Sequence, residues 1–282
     1  PIPQRAAGPT SHLIPLAPKS KPLPPIYYIS TMRVYLVQME SVPGEKEKNL
    51  KKARQMVLEA KPTCESLILF PEMFATGYIP ERAEELAEDF ETGSGPTAQM
   101  LSELAKETNC FILGGGMHRA ANGFTNRVCL FDPTKATDKQ PYYDKVHPFF
   151  PEQKDFTPGK EITLFKIQDI TLATAICYDL RFPEEFRKAR ANGAQAFTVQ
   201  ASWPAVRNEH WETLLRARAI ENQAYVLAVN NVSADGTYIG NSQVIAPDGD
   251  IIVKAETKKE QVISAEISAS VVEKIRKEFP IF

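Results

Sequence analysis

Cys177 closes a β-rich run, Ile170–Cys177, within the segment ITLATAICYDLRFPEEFRKARANGA. A turn carrying Asp179 and Arg181 follows, Pro183 is placed to open a helix and Gly193 to close it. Strand, turn and helix in that order can expose a nucleophile at the carboxyl edge of a sheet, with a backbone N–H beside it to bind an oxyanion. A cysteine in an apolar strand is more often inert core, because burial without a positive neighbour raises the thiol pKa. Its place at the very end of the strand favours function.

A nucleophilic thiol needs a base, and SLILFPEMFATGY supplies a candidate in Glu72, just past an apolar strand that Pro71 terminates. Phe70, Met73, Phe74 and Tyr78 surround it, so desolvation would raise its pKa toward the range where it exchanges a proton near neutral pH. A solvated or salt-bridged loop carboxylate is the alternative. In YYDKVHPFFPEQ, Lys145 lies between aromatic stretches. Most lysines are surface charges, but this one could be drawn inward as a fixed cation if a carboxylate such as Glu72 or Glu152 compensates its burial. His147 could act as an acid or base, although a lone histidine is more often a structural hydrogen bonder. No second histidine or carboxylate stands at metal-ligand spacing, so no metal site is expected.

The elements that must position these groups alternate between short β-rich runs and amphipathic segments, the pattern of an α/β layered fold. Strands are expected at Arg33–Gln38, Ser66–Phe70, Phe111–Gly116, Thr125–Phe131, Ile170–Cys177, Ala196–Ala201, Tyr225–Asn230, Gly240–Ala246, Ile251–Ala255 and Gln261–Ile267. Helices are expected at Glu45–Ala60, Thr97–Thr108, Pro183–Asn192 and Glu209–Gln223, the last with Trp211, Leu214, Leu215 and Ala219 along one face. No turn-rich linker interrupts the alternation, which favours one domain over residues 32–282. Residues 1–31 are Pro-rich and aperiodic and read as an arm or leader.

Hydrophobic residues make up 43% of the chain and charged residues 24%, enough for a sizeable core without disulfides or metal. With 33 basic and 35 acidic side chains and no Lys/Arg block, nucleic acid is not expected as a partner. Cys64, Cys110, Cys129 and Cys177 form no close pair and read as free thiols of a reducing compartment. No apolar stretch approaches the roughly 20 residues needed to span a bilayer, and no signal-peptide core is present. These features together predict a soluble cytoplasmic protein without membrane partners.

The ordered set FPEMFATGY, YDKVHPF and AICYDLRFPE resembles the Glu, Lys and Cys signature blocks of the nitrilase, or carbon–nitrogen hydrolase, superfamily. Each block alone is weak or moderate, whereas three in this order are highly specific. The resemblance runs from about Met32 to the C-terminus and takes in FTPGKE, ASWPAVRNEHWETLLRARAIENQAYVLAVN and NSQVIAPDGDII. Within the superfamily, the Cys-Tyr-Asp-Leu-Arg-Phe-Pro-Glu wording is similar to ω-amidases and related small-amide hydrolases; true nitrilases usually carry Trp-Glu after the cysteine. Thr174 and Ala201 depart from the pattern, standing where relatives often have Gly and Asn. Relatives also usually continue for a short segment beyond the position of Glu-Phe-Pro-Ile-Phe.

The resemblance implies a four-layer αββα sandwich, a homodimer or higher homo-oligomer, and a catalytic triad of Glu72, Lys145 and Cys177 that needs no cofactor. It implies that Glu152 orients Lys145 or the substrate, and that the Tyr178 backbone N–H helps bind an oxyanion. Arg181 could hold a substrate carboxylate or pair with Asp179 or Glu184, and Trp203 could line the pocket or belong to the core. The expected reaction is hydrolysis of a small amide such as 2-oxoglutaramate or succinamate. Other carbon–nitrogen substrates, including a deaminated-glutathione-like amide or an N-carbamoyl amine, remain open, as does a non-catalytic scaffold of the same fold.

Overall fold

Strands that are apolar on both faces need cover on both faces. A computed structural model describes residues 31–282 and shows how that cover is arranged. The first half contains β1 (Met32–Gln38), α1 (Lys46–Ala60), β2 (Leu67–Leu69), α2 (Ala83–Leu86), α3 (Pro96–Thr108), β3 (Phe111–Ala120), β4 (Gly123–Phe131) and β5 (Tyr142–Asp144). The second contains β6 (Leu164–Ile167), β7 (Ile170–Ile176), α4 (Pro183–Ala191), β8 (Ala196–Ala201), α5 (Asn208–Asn222), β9 (Tyr225–Asn230), β10 (Gln243–Ile245) and β11 (Ile251–Lys254). The chain then returns through β12 (Gln261–Ile267) and ends with α6 (Ala269–Glu278).

These strands form two six-stranded sheets, ordered β12-β1-β2-β3-β4-β5 and β11-β10-β9-β8-β7-β6. Each has a parallel centre, β1-β2-β3 in one and β7-β8-β9 in the other, where the connections are long enough to hold helices. Antiparallel strands flank both centres. The period-two alternation of strands sorts the side chains: Val34 and Leu36 of β1 join the inter-sheet core, whereas Tyr35 and Val37 pack with Leu50, Ala53 and Val57 of α1 and Leu101 of α3. On the second sheet, Phe186 of α4 and Trp211, Leu215 and Ala219 of α5 provide the outer cover. The result is the expected αββα sandwich. Each fully buried Leu or Phe contributes ~1.5–3 kcal/mol relative to exposure, so burial between the layers holds helices and sheets in place.

One close approach depends on glycine. A Cβ on Gly115 of β3 would lie 2.0 Å from the Arg127 carbonyl oxygen, so only glycine lets β4 run this near and keep its register. That register carries Asn126 to its place beside Glu72.

Several boundaries differ from expectation. The strand expected at Gly240–Ala246 starts at Gln243, because Gly240 and Asn241 both have positive φ, +74° and +64°, which a ladder cannot accommodate. Neither β5 nor β6 was anticipated: β5 is only Tyr-Tyr-Asp, and Lys166 interrupts the apolar signal of β6. The last helix, α6, buries only Ala269 and Val272, too few to stand out as a periodic face. The expected arm, residues 1–31, lies outside the described residues apart from Thr31. Among the described residues no helix is long and apolar enough to cross a membrane.

Candidate active site

Glu72, Lys145 and Cys177 each lie just past the carboxyl end of a strand. After β2, Phe70 and Pro71 lead into a tight turn in which the N–H groups of Thr76 and Gly77 donate to the Met73 carbonyl at 3.1 and 2.8 Å. Gly77 takes φ +72° there, the left-handed conformation a glycine adopts without strain. Lys145 follows β5, and its N–H donates to the Asn126 carbonyl at 2.9 Å. Cys177 was expected to end its strand; β7 stops at Ile176, and Cys177 instead opens a turn of 3-10 helix with φ +47°. Such a conformation costs a non-glycine residue ~1–3 kcal/mol and persists only where the surroundings over-determine it.

The three side chains meet across the two sheets. Lys145 Nζ donates to Glu72 Oε1 at 2.8 Å and to Glu152 Oε2 at 2.7 Å, and all three side chains are buried. Asn126 Nδ2 also bridges the two carboxyls, donating to the same Glu72 Oε1 at 2.8 Å and to Glu152 Oε1 at 2.7 Å. Glu152 also accepts the Phe149 N–H. From the second sheet, the Ser202 N–H donates to Glu72 Oε2 at 2.9 Å, so both oxygens of the carboxylate have protein partners. Asn231 and the Ser202 hydroxyl donate to the Glu72 backbone carbonyl, each at 3.2 Å. The solvated and surface alternatives for Glu72 and Lys145 are therefore not met, and Glu152 lies where it can orient Lys145.

Two carboxyls share one ammonium, and the electrostatics follow from that imbalance. Burial raises the Glu72 pKa, Lys145 opposes the rise, and Glu152 adds to it. Burial alone would lower the Lys145 pKa, but the charges of Glu72 and Glu152 overcome it and hold the lysine protonated. Burial and then the Glu72 charge push the Cys177 thiol well above its ordinary value, with Lys145 and a hydrogen bond from the Ser202 N–H pulling it down. The proton therefore rests on sulfur, beside a carboxyl with a heightened affinity for it.

Cys177 opens onto a cavity of about 490 Å³, whose walls include Tyr78, Phe149, Phe150, Tyr178, Trp203 and Tyr238. Arg181, Arg207 and His210 also line it, with the Arg181 guanidinium 3.2 Å from His210 Nδ1 and stacked 4.7 Å from the Trp203 ring centroid. Arg181 makes no ion pair with Asp179 or Glu184. Asp179 turns inward, toward Tyr143 and His147. Trp203 is both pocket wall and core, 3% exposed and packed at a tilt against Trp211, with ring centroids 5.6 Å apart. Neither Thr174 nor Ala201 lines the cavity, and the Thr174 hydroxyl is paired with that of Thr198 at 3.0 Å.

Sequence reasoning missed Asn126, Ser202, Asn231, Arg207 and His210. Asn126 had a detectable signal, a carboxamide inside the expected strand Thr125–Phe131. Ser202 acts through its backbone N–H, which no residue type announces. Among the described residues no group of three or more His, Cys, Asp and Glu side chains could hold a metal ion.

Comparisons with known proteins agree with this architecture. The carbon-nitrogen hydrolase family profile matches residues 33–277. The chain is 34% identical over 224 residues to "Omega-amidase YafV" of Escherichia coli, covering 77% of this chain and 83% of the relative. It is 31% identical over 252 residues to "2-oxoglutaramate amidase" of Bacillus subtilis, covering 87% and 94%. Among solved structures, it resembles a CN-hydrolase superfamily protein of Xanthomonas campestris crystallised with an arsenic adduct in its active site, with TM-score 0.81, 31% identity, and 89% and 96% of the two chains covered. From its sandwich of paired sheets, the convergence at Glu72 and these relatives, the chain belongs to the carbon-nitrogen hydrolase family of the nitrilase superfamily.

Proposed function

We propose that this protein is an amidase that hydrolyses a small ω-amide carrying a distal carboxylate, of the 2-oxoglutaramate or succinamate type, through a thioester on Cys177. The observation that carries this reading is a buried Lys145–Glu72 pair beside a cavity-facing thiol, with arginines lining the same cavity.

In this reading Glu72 takes the Cys177 proton as sulfur attacks the amide carbonyl. Its raised proton affinity suits it for that transfer. The oxygen of the tetrahedral intermediate becomes negative, and Lys145 with the Tyr178 N–H stabilises it. Glu152 and Asn126 hold Lys145 and Glu72 in position. Collapse of the intermediate breaks the C–N bond, and the nitrogen leaves as ammonia with the proton stored on Glu72. Water then attacks the thioester, giving its proton to Glu72; the carbonyl carbon leaves as the acid, and the proton returns to sulfur. No electron carrier or cofactor is required.

Arg181, with Arg207 and His210, would hold the distal carboxylate, a group that guanidinium recognises through paired N–H donors. Trp203 forms a wall that orients it. The names of the Escherichia coli and Bacillus subtilis relatives support the same substrate class. We further propose a homodimer or higher homo-oligomer in the cytoplasm, where its four free cysteines would stay reduced.

Ammonia release from 2-oxoglutaramate and succinamate tests the reading, with the Cys177→Ala variant as control. Release above the control is expected. Equal rates would reject the proposal, and carbon dioxide accompanying ammonia from an N-carbamoyl amine would replace it with carbamoyl hydrolysis.

A further inference from the structure

We propose that Asp179 is a positioning residue for this reaction, a clasp that ties the segment carrying Lys145 to the turn carrying Cys177. The inference rests on the roles given above to those two side chains. Asp179 is 1% exposed and does not line the cavity, so it is out of reach of a substrate. Its Oδ2 accepts the Ile176 N–H at 2.9 Å and the Tyr143 hydroxyl at 2.7 Å. Its Oδ1 accepts the His147 N–H at 2.9 Å and lies 3.0 Å from His147 Nδ1.

The placement of these partners gives the carboxylate its meaning. Tyr143 and His147 bracket Lys145 along the chain, and Ile176 immediately precedes Cys177. One buried side chain therefore grips both sides of the ammonium's segment and the residue before the sulfur. The Tyr143 hydroxyl also accepts the Val146 N–H at 3.2 Å, and the His147 ring stacks on Phe182 with centroids 3.6 Å apart and planes 5° from parallel. On the far side of the turn, Arg218 donates to the Leu180 carbonyl at 2.7 Å. Lys145 follows an edge strand of the first sheet and Cys177 follows β7 of the second, and no ladder joins those strands. The left-handed Cys177 backbone is thus held from both sides, and its distance from Lys145 is set by the clasp.

The test compares Asp179→Asn and the milder Tyr143→Phe with the wild-type protein. Melting temperature, kcat and KM per folded molecule, and the iodoacetamide alkylation rate of Cys177 at fixed pH are measured. Misplacement of reacting groups by an ångström lowers turnover by about 100-fold. A loss of that order in kcat is expected for Asp179→Asn and a smaller one for Tyr143→Phe, with KM near the wild-type value. Alkylation should become faster in both, because a loosened turn admits water to a thiol that burial holds protonated. A buried carboxylate that only stabilises the fold would change neither rate per folded molecule, and that outcome would overturn the inference. If Asp179→Asn does not fold, Tyr143→Phe decides in the same way. If the wild-type protein hydrolyses none of the amides, the functional reading fails, while alkylation still judges the clasp: an unchanged rate overturns it and a faster one upholds it.

Discussion

Replacing Lys145 with Met removes the cation from between two carboxyls whose side chains are 0% exposed. Breaking a buried ion pair from one side costs ~3–5 kcal/mol, because the remaining charge is left without compensation. Unfolding entropy for a domain of this length is ~0.5 kcal/mol/K, which converts that cost to a fall of roughly 6–10 °C in melting temperature at neutral pH. The deficit should then depend on pH in a defined direction. A carboxyl whose folded pKa lies above its unfolded value binds its proton more tightly when folded, so acidification through that folded value stabilises the native state. Burial already raises Glu72, and losing Lys145 removes the main opposing influence. The variant should therefore recover part of its deficit near about pH 5. In the wild type the lysine follows the same rule in a higher window: its stabilisation is complete below the ordinary lysine value of 10.5 and is lost as pH rises through the higher folded one. Melts followed by circular dichroism at neutral pH and near about pH 5, at a fixed scan rate, measure the deficit and its recovery; a third series above about pH 10.5 measures the loss of the wild-type lysine's contribution. Ammonia release should also fall about 100- to 1000-fold if Lys145 stabilises the oxyanion. An unchanged melting temperature at neutral pH, or a deficit that grows with acid, would refute the reasoning.

Glu72→Gln should lower kcat by about 100- to 10,000-fold, the range for losing a general base. In the same variant the pH midpoint for Cys177 alkylation should move down, because the Glu72 charge is, after burial, the strongest cause raising the thiol; an upward move in the iodoacetamide profile would contradict this. Arg181→Gln should raise KM for succinamate about tenfold while leaving a neutral amide of similar size unaffected, as initial-rate kinetics on the two substrates would register. Gly115→Ala should prevent soluble expression or lower the melting temperature sharply, since the added methyl would meet the Arg127 carbonyl, which is backbone and cannot swing away; a native-like melt would show that β4 can shift.

The placement of candidate residues was legible where one sits at the end of an apolar run. Glu72 after Leu67–Leu69 and Cys177 after Ile170–Ile176 were singled out that way, because a strand that stops abruptly tells where its next side chain emerges. Layering was legible for a related reason: runs such as Ala196–Ala201, buried at every position, require cover on both faces. What stayed hidden was partnership. Asp179 looks like any turn aspartate, and its partners Tyr143 and His147 lie 36 and 32 residues away, brought near only by the stacking of one sheet on another. The Ser202 N–H is invisible in the sequence because every residue except proline has one. Short elements such as β5 and the sparsely buried α6 fail for want of signal: three residues, or two buried contacts, establish no period.

Glu72, Asn126 and Lys145 are carried by one sheet and the segments leaving its strands, and Cys177 and Ser202 by those of the other, so no single slab of the sandwich owns the candidate site. The gap between the slabs is filled by buried side chains such as Val34, Leu36, Leu69 and Leu113, which space the two sheets that the proposed Asp179 clasp ties together. If the proposed chemistry holds, substitutions that thicken or thin this filling, remote from any reacting atom, are expected to act on turnover through spacing. A methyl group gained or lost in the middle of the protein would then register as a change in rate.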